Sequence, residues 1–297
     1  MKKWGFLLIF AICLGVTAFK IVPFFQGEKV VIDENGMLEA KLFSGNIKKV
    51  DIPVEQIYQG NLLLVNGKHP VHNESIKSDI INLNARKDLL NGYKVFNSEI
   101  YLSEDIANKF SDMVLAAEED GVSSFLISSG FRGFDEQTKL YKEMGSNRAL
   151  PAGHSEHNLG LSLDVGSTQG MMGVAPEGRW IAENAWKYGF TLRYPEDKTE
   201  ITGIMNEPWH IRYVGLPHST IIKEKNFVLE EYLDYLKEQK HISATVNGQK
   251  YEVFYYPVTE NITINVPANL SYEVSGNNVD GVIVTVFPDN GVETQGR

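Results

Sequence analysis

Ser155-Glu156-His157-Asn158-Leu159-Gly160-Leu161-Ser162-Leu163-Asp164 lies near the middle of a 297-residue chain, between Pro151-Ala152-Gly153 and Val165-Gly166. From Gly160 the pattern alternates. Leu161, Leu163 and Val165 fall on one side, and Gly160, Ser162 and Asp164 on the other. This predicts a strand with one face on the core and the other on a pocket. Asp164 is then held rigidly at that pocket, with Gly160 leaving room beside it. His157 precedes the strand and reaches the same space. A histidine and a carboxylate on one rigid surface are two-thirds of an open metal site.

The missing third lies in Asn206-Glu207-Pro208-Trp209-His210-Ile211-Arg212-Tyr213-Val214-Gly215. His210 completes a set of two histidines and one carboxylate, which leaves a coordination position for water. Glu207 stands three residues earlier, and a carboxylate beside such a water is what a hydrolase needs as general base. In an ideal strand Glu207 and His210 would face opposite sides. Pro208 cannot donate to a sheet ladder, so regular alternation is expected only after it.

The run Ser-x-His-x-x-Gly-x-x-x-Asp followed by Glu-x-Trp-His resembles the zinc D-Ala-D-Ala carboxypeptidase family, and the similarity to VanY-type D,D-carboxypeptidases is close. It extends over 56–239 and includes Tyr58-Gln59-Gly60-Asn61-Leu62-Leu63-Leu64-Val65-Asn66, Ser129-Gly130-Phe131-Arg132 and Tyr188-Gly189-Phe190-Thr191-Leu192-Arg193-Tyr194-Pro195. The paired motifs are specific where either alone is weak. Ser162 stands where the family usually has Ala. The resemblance implies Zn²⁺ held by His157, Asp164 and His210, with Glu207 taking a proton from water and delivering it to the leaving amine. Arg132 would contact the substrate or the developing oxyanion, and Ser155, Gln137, Ser129 and Trp209 would line the substrate. The implied substrate is a peptidoglycan precursor peptide ending in D-Ala-D-Ala, from which the last D-Ala is released. The resemblance also implies a place in glycopeptide (vancomycin) resistance. The implied fold is α+β, a small antiparallel sheet carrying the zinc and flanked by helices.

Composition sets wider bounds. With 43% hydrophobic and 22% charged residues the chain reads as globular. A formal net charge of -10 argues against nucleic acid as a partner, because phosphate neutralisation needs a basic surface. Cys13 is the one cysteine, so no disulfide forms within the chain and any metal site uses histidines and carboxylates. Met1-Lys2-Lys3 is basic, Trp4 to Phe19 is almost wholly apolar, and Val16-Thr17-Ala18 is a poor cleavage site. These features predict a retained single-pass anchor in the cell membrane over 1–25, with the catalytic domain extracytoplasmic.

Along the chain, 26–55 has no sustained period and reads as a spacer. The zinc carboxypeptidase domain follows over 56–240, and a small β-rich C-terminal region, or appendix, over 241–297. Within the domain, 61–66 reads as a strand and Ser103 as the cap of a helix whose core face holds Ile106, Phe110, Met113, Val114 and Ala117. A strand over 124–129 turns at Gly130-Phe131-Arg132-Gly133 into a helix that Gly145 stops. Arg132 thus sits at a strand-to-helix turn, a common place for a ligand contact. Pro176 opens a helix closed by Gly189, 190–194 is a strand, 195–205 a polar loop, and 228–239 an amphipathic helix. Beyond His241 the period changes to two, with strands at 251–256, 263–266 and 282–287 and a hairpin signal at Asn247-Gly248.

Two other classes fit part of the pattern. Non-haem iron oxygenases also use two histidines and a carboxylate, but that reading leaves Glu207 without a task and expects a mostly β double sheet. A non-catalytic wall-binding protein would not need all four of His157, Asp164, Glu207 and His210. Within the same metal chemistry, a cell-wall endopeptidase and a D,D-dipeptidase are the remaining alternatives.

Overall fold

The computed structural model describes residues 30–33, 46–145 and 149–287. Two short strands open it, β1 (Val31–Asp33) and β2 (Ile47–Ile52). Then come β3 (Ile80–Asn82), β4 (Tyr93–Val95) and β5 (Tyr101–Ser103), followed by α1 (Glu104–Glu119), β6 (Phe125–Ser129) and α2 (Phe134–Met144). The motif region holds β7 (Ser162–Ser167), α3 (Pro176–Asn184), β8 (Phe190–Leu192), α4 (Thr199–Thr202) and β9 (His210–Tyr213). After α5 (His218–Lys225) and α6 (Leu229–Gln239) the elements among the described residues are all strands: β10 (His241–Val246), β11 (Gln249–Pro257), β12 (Ile262–Pro267), β13 (Tyr272–Gly276) and β14 (Gly281–Val286).

The sheet that carries the motifs has the order β4-β6-β7-β9-β8. Leu161, Leu163 and Val165 are fully buried and pack with Ile106, Phe110 and Met113 of α1, as the alternation predicted. The Ser103 hydroxyl accepts from the Ile106 N–H, and the Asp79 carboxylate accepts from both the Ser103 hydroxyl and the Asp105 N–H. These bonds satisfy the first free donors of the helix. The sheet differs from the expected antiparallel one at its edge, where β4 pairs parallel with β6. The long α1 segment lies between β5 and β6, so β4 can meet β6 only through a crossover.

Residues 61–66 are not a strand. Leu62 to Val65 are buried as an apolar run, yet the carbonyls of Asn61 and Leu63 both accept from the Arg212 guanidinium. The Leu62 N–H goes to the Ser275 hydroxyl and the Leu64 N–H to the Asn277 carbonyl. Side chains and a loop satisfy this backbone, where a ladder was expected.

The region 26–55, read as a spacer, contributes β1 and β2. β1 pairs with β10, giving a sheet ordered β1-β10-β11-β14-β13, and β2 pairs with β12 as a ribbon. β13 is a further strand that the turn signals did not mark. One apolar cluster joins the inner face of this sheet to Ile221 and Ile222 of α5 and to Tyr232, Leu233 and Leu236 of α6. Another lies between the sheet and the β2-β12 ribbon.

The expected single-pass membrane localisation is corrected. Among the described residues no helix is long and apolar enough to cross a membrane. The segment 1–25, to which that anchor was assigned, lies outside the described residues.

His218 of α5 links α6 to β14. Its ring nitrogens meet the Tyr232 hydroxyl of α6 at 2.7 Å and the Thr285 hydroxyl of β14 at 2.9 Å. Burial pushes its pKa down from 6.5 to about 3. Between those values the unfolded chain binds a proton that the folded chain does not, so this residue costs stability as pH falls through 6.5. In urea unfolding, wild type should lose about 1 kcal/mol more than His218→Gln between pH 7 and pH 5.5. Equal losses in the two proteins would show that His218 is not held neutral by the fold.

Candidate active site

Each of the motif residues is placed by a separate piece of backbone chemistry. Ser155 caps a short 3₁₀ turn over Glu156–Asn158, its hydroxyl accepting from the His157 N–H. The His157 ring then meets the Gly130 carbonyl through Nδ1 at 2.6 Å. A carbonyl can only accept, so Nδ1 carries the proton and Nε2 is the free lone pair. Gly130 is required here, because a Cβ would overlap the Tyr101 carbonyl oxygen. Gly160 ends the same turn at φ +83°, a left-handed conformation in which a Cβ would press on Ile80.

Asp164 stands on the pocket face of β7, opposite Ser129 where the β6-β7 register shifts by a bulge. Bulges re-aim side chains and are frequent beside active sites. His210 opens β9 and pairs with Asp164 across the ladder. Glu207 and His210 come together through a turn. The His210 N–H bonds the Glu207 carbonyl at 3.1 Å, with Pro208 and Trp209 as the two central residues. Proline presets the backbone angle for the first central position of such a turn. The turn folds the two side chains toward each other, so Glu207 Oε2 lies 3.8 Å from His210 Nδ1.

The result is a compact donor set. His157 Nε2 is 3.3 Å from Asp164 Oδ2, and His210 Nδ1 is 3.0 Å from Asp164 Oδ1. One atom from each of the three residues falls within 4.8 Å of the others, a spacing that could hold a metal ion. The two imidazole rings stand edge to face at 87°. Two nitrogens and one carboxylate oxygen fit a three-ligand catalytic zinc better than a closed structural site, which takes four protein ligands.

Electrostatics separate the two histidines. Burial and the neighbouring Arg132 charge push His157 down, keeping it neutral. Burial also opposes charge on His210, but the hydrogen bonds to Asp164 and Glu156 outweigh it and push its pKa up to about 9. A cation at Nδ1 therefore competes with a proton. Burial would raise Asp164, yet the two histidines hold it well below the usual carboxylate range. Glu207 is raised, first by burial, with the nearby Asp164 charge adding to it. A raised carboxylate is better suited to carry a proton in mid-reaction.

Arg132 is held on three sides. Its Nε donates to Gln137 Oε1 at 2.9 Å, Nη1 to the Ser129 hydroxyl at 2.9 Å and Nη2 to the Ser155 hydroxyl at 3.4 Å. Five N–H donors less these three leave two for a ligand. Gln137 is buried and spends its other amide group on the Leu150 carbonyl. Gln137, Ser129 and Ser155, expected to line the substrate, are thus brought together around the guanidinium. Trp209 stays apart, with its side chain at the surface and 40% exposed.

Sequence reading missed Glu156, Arg193, Arg212 and Tyr194. Glu156 is buried, and its Oε1 accepts from Arg193 Nε and Arg212 Nη1, both at 2.8 Å. Its Oε2 lies 3.3 Å from His210 Nε2. Arg193 also pairs with Glu230 of α6 through both Nη atoms at 2.8 Å. The paired charges hold Glu156 well below the usual carboxylate range against the opposing effect of burial. The Tyr194 ring centre is 4.9 Å from that of His210. The available signal was Arg212, a charge between Ile211 and Tyr213 in a strand flanked by others.

Known proteins share this arrangement of sequence and fold. The family described as VanY: D-alanyl-D-alanine carboxypeptidase matches residues 99–216. A D-alanyl-D-alanine carboxypeptidase from Enterococcus faecium is 63% identical over 295 residues, covering 97% of this chain and 97% of its own. The crystal structure of the vancomycin resistance D,D-dipeptidase VanXYg in complex with a D-Ala-D-Ala phosphinate analog is 33% identical with a TM-score of 0.71, covering 82% of this chain and 100% of that one. A crystal structure of the vancomycin resistance D,D-pentapeptidase VanY in complex with Zn(II) is 30% identical with a TM-score of 0.48, over 58% of this chain and 98% of that one.

Metal analysis of purified protein is expected to find about one divalent ion per chain. His157→Ala and His210→Ala should each lose it. Gln137→Leu should retain it, since the Gln137 side chain bonds Arg132 and the Leu150 carbonyl and none of the three donor residues. Full occupancy in both histidine variants would refute the donor set.

Proposed function

The chain belongs to the VanY family of D-alanyl-D-alanine carboxypeptidases, and on that premise we infer that it is a hydrolase removing the terminal D-Ala from peptidoglycan stem peptides ending in D-Ala-D-Ala. The observation that carries this reading is the convergence of His157, Asp164 and His210 on one point, with Glu207 3.8 Å from His210. We assign the metal as Zn²⁺. Bound there, zinc supplies Lewis acidity that makes water a nucleophile near neutral pH and polarises a carbonyl.

The chain's own residues do the rest. His157, Asp164 and His210 orient the ion. Glu207 accepts the proton of the attacking water as the water oxygen bonds to the penultimate D-Ala carbonyl carbon. It then delivers that proton to the departing nitrogen as the C–N bond breaks. Arg132, fixed by Ser129, Gln137 and Ser155, offers its remaining N–H pair to the terminal carboxylate or to the oxyanion. Gln137, Ser129 and Ser155 act through Arg132, and Trp209 borders the mouth of the site. Loss of the last D-Ala destroys the dipeptide terminus that glycopeptide antibiotics recognise, which gives the enzyme a part in vancomycin resistance. We assign catalysis to 56–240, and to the β-rich region 241–297 we add the strands β1 and β2 that pair with it.

Release of D-Ala from a stem pentapeptide, from free D-Ala-D-Ala and from the amide of the same pentapeptide tests the reading. The acid should be cleaved and the amide nearly spared, because a lost charge-assisted bond is worth roughly 1.5–3 kcal/mol in kcat/KM. Equal rates on acid and amide would make the enzyme an endopeptidase. Glu207→Gln should keep zinc and fold while losing about 10²-fold or more in kcat. Normal turnover in that variant would place the base elsewhere.

A further inference from the structure

The two metal-facing histidines are oriented by different groups. His157 gives its Nδ1–H to a backbone carbonyl, a neutral acceptor, and presents Nε2. His210 is turned the other way round. It presents Nδ1 to the donor set, and its Nε2 faces Glu156 Oε2 at 3.3 Å. Glu156 lies directly before His157 in the chain and is buried, yet its contacts run to residues far along the sequence. Its two oxygens divide the work. Oε1 takes both arginines, Arg193 through Nε and Arg212 through Nη1, each at 2.8 Å. Oε2 is left for the imidazole. A carboxylate present only to neutralise two guanidiniums would spread them over both oxygens in the paired geometry that guanidinium and carboxylate favour.

The arginines are fixed in turn. Arg212 Nη2 reaches the Asn61 and Leu63 carbonyls at 3.0 Å. Arg193 is clamped bidentately by Glu230. The position of Glu156 is therefore set by two anchored arginines, and neither involves the metal-facing atoms.

We propose that Glu156 is the positioning residue of the metal centre: it accepts the Nε2–H of His210, fixes the tautomer that exposes Nδ1, and makes that nitrogen a stronger donor to the ion. The inference rests on the reading of His157, Asp164 and His210 as zinc ligands. Ligating histidines commonly give their second N–H to a carboxylate, which fixes the ring and raises ligand basicity. In this chain that task falls to a residue whose own charge is shared with two arginines. His210 is accordingly the ligand whose strength depends on a network reaching α6, while His157 depends on a local turn.

The test has two arms. In zinc-loaded wild type carrying ¹⁵N-labelled histidine, long-range ¹H–¹⁵N correlation should show His210 bound through Nδ1, with a slowly exchanging proton on Nε2. His157 should show the opposite pattern. Binding of His210 through Nε2 would overturn the proposal without any variant having to fold. In the second arm, zinc affinity is measured by chelator competition at pH 7 for wild type, Glu156→Gln, Glu156→Asp and His210→Ala. Glu156→Gln should bind zinc about 10- to 100-fold more weakly than wild type, the usual loss for an outer partner. The His210 Nε2 proton should move upfield and exchange faster. Glu156→Asp keeps the charge but shortens the reach, and should show the same Nε2 change. Wild-type affinity and an unmoved Nε2 signal in folded Glu156→Gln would overturn the proposal. Failure of wild type itself to bind zinc would instead overturn the ligand set on which it rests.

Discussion

A buried charge must be paired, and in this molecule one carboxylate meets that demand for two arginines at once. Glu156, Arg193 and Arg212 all lie out of solvent. Removing Glu156 leaves Arg212 buried without a carboxylate partner, a change that typically costs about 3–5 kcal/mol. The constraint reaches well beyond the trio. Arg212 belongs to β9 and holds two carbonyls of the 61–65 segment. Arg193 follows β8 and holds the start of α6 through Glu230. The 61–65 segment, the paired strands β8 and β9 and the start of α6 are thereby fixed around one side chain, and the imidazole of His210 is fixed with them.

The neighbourhood of Asp164 shows how a regular sheet and irregular backbone combine. β7 supplies alternation, so the apolar residues go inward and Asp164 outward. The bulge opposite it and the Pro208 turn below it are both departures from regular strand geometry. Each brings a polar group, Ser129 in one case and Glu207 in the other, to where a straight strand would not put it. Strands β7 and β9 carry Asp164 and His210, while a 3₁₀ turn carries His157 and the Pro208 turn brings in Glu207.

That division explains what the sequence disclosed. Period-two patterning around Leu161 and Leu163 is a local signal, and it placed Asp164 correctly. His157 and His210 were legible because the motif spacing is specific. The nearness of Glu207 to His210 was not derivable from strand geometry, since it depends on a turn that Pro208 permits but does not announce. Glu156 was passed over because its partners stand 37 and 56 residues away, and nothing local marks it as paired. The same blindness produced the strand expected over 61–66. Its apolar run is real, but its carbonyls answer to a guanidinium about 150 residues further on. The role of 47–52 was hidden likewise, because an exposed, lysine-bearing edge gives little periodicity to read.

The pairing of β2 with β12 has a consequence for how the chain reaches its native state. Asp51 and Thr263 touch across that ribbon although they are 212 residues apart in sequence. β1 meets β10 across a comparable span. Closing so long a loop loses chain entropy before any contact rewards it, and pairings of this kind slow folding. During synthesis the first strands leave the ribosome long before their partners exist. They must wait, unpaired, until more than 200 further residues have been made. The motif sheet has no such dependence, since β4 to β9 emerge in one continuous run. The ribbon therefore acts as a late fastening, completed only on a chain in which the sheet bearing Asp164 and His210 already has all its strands.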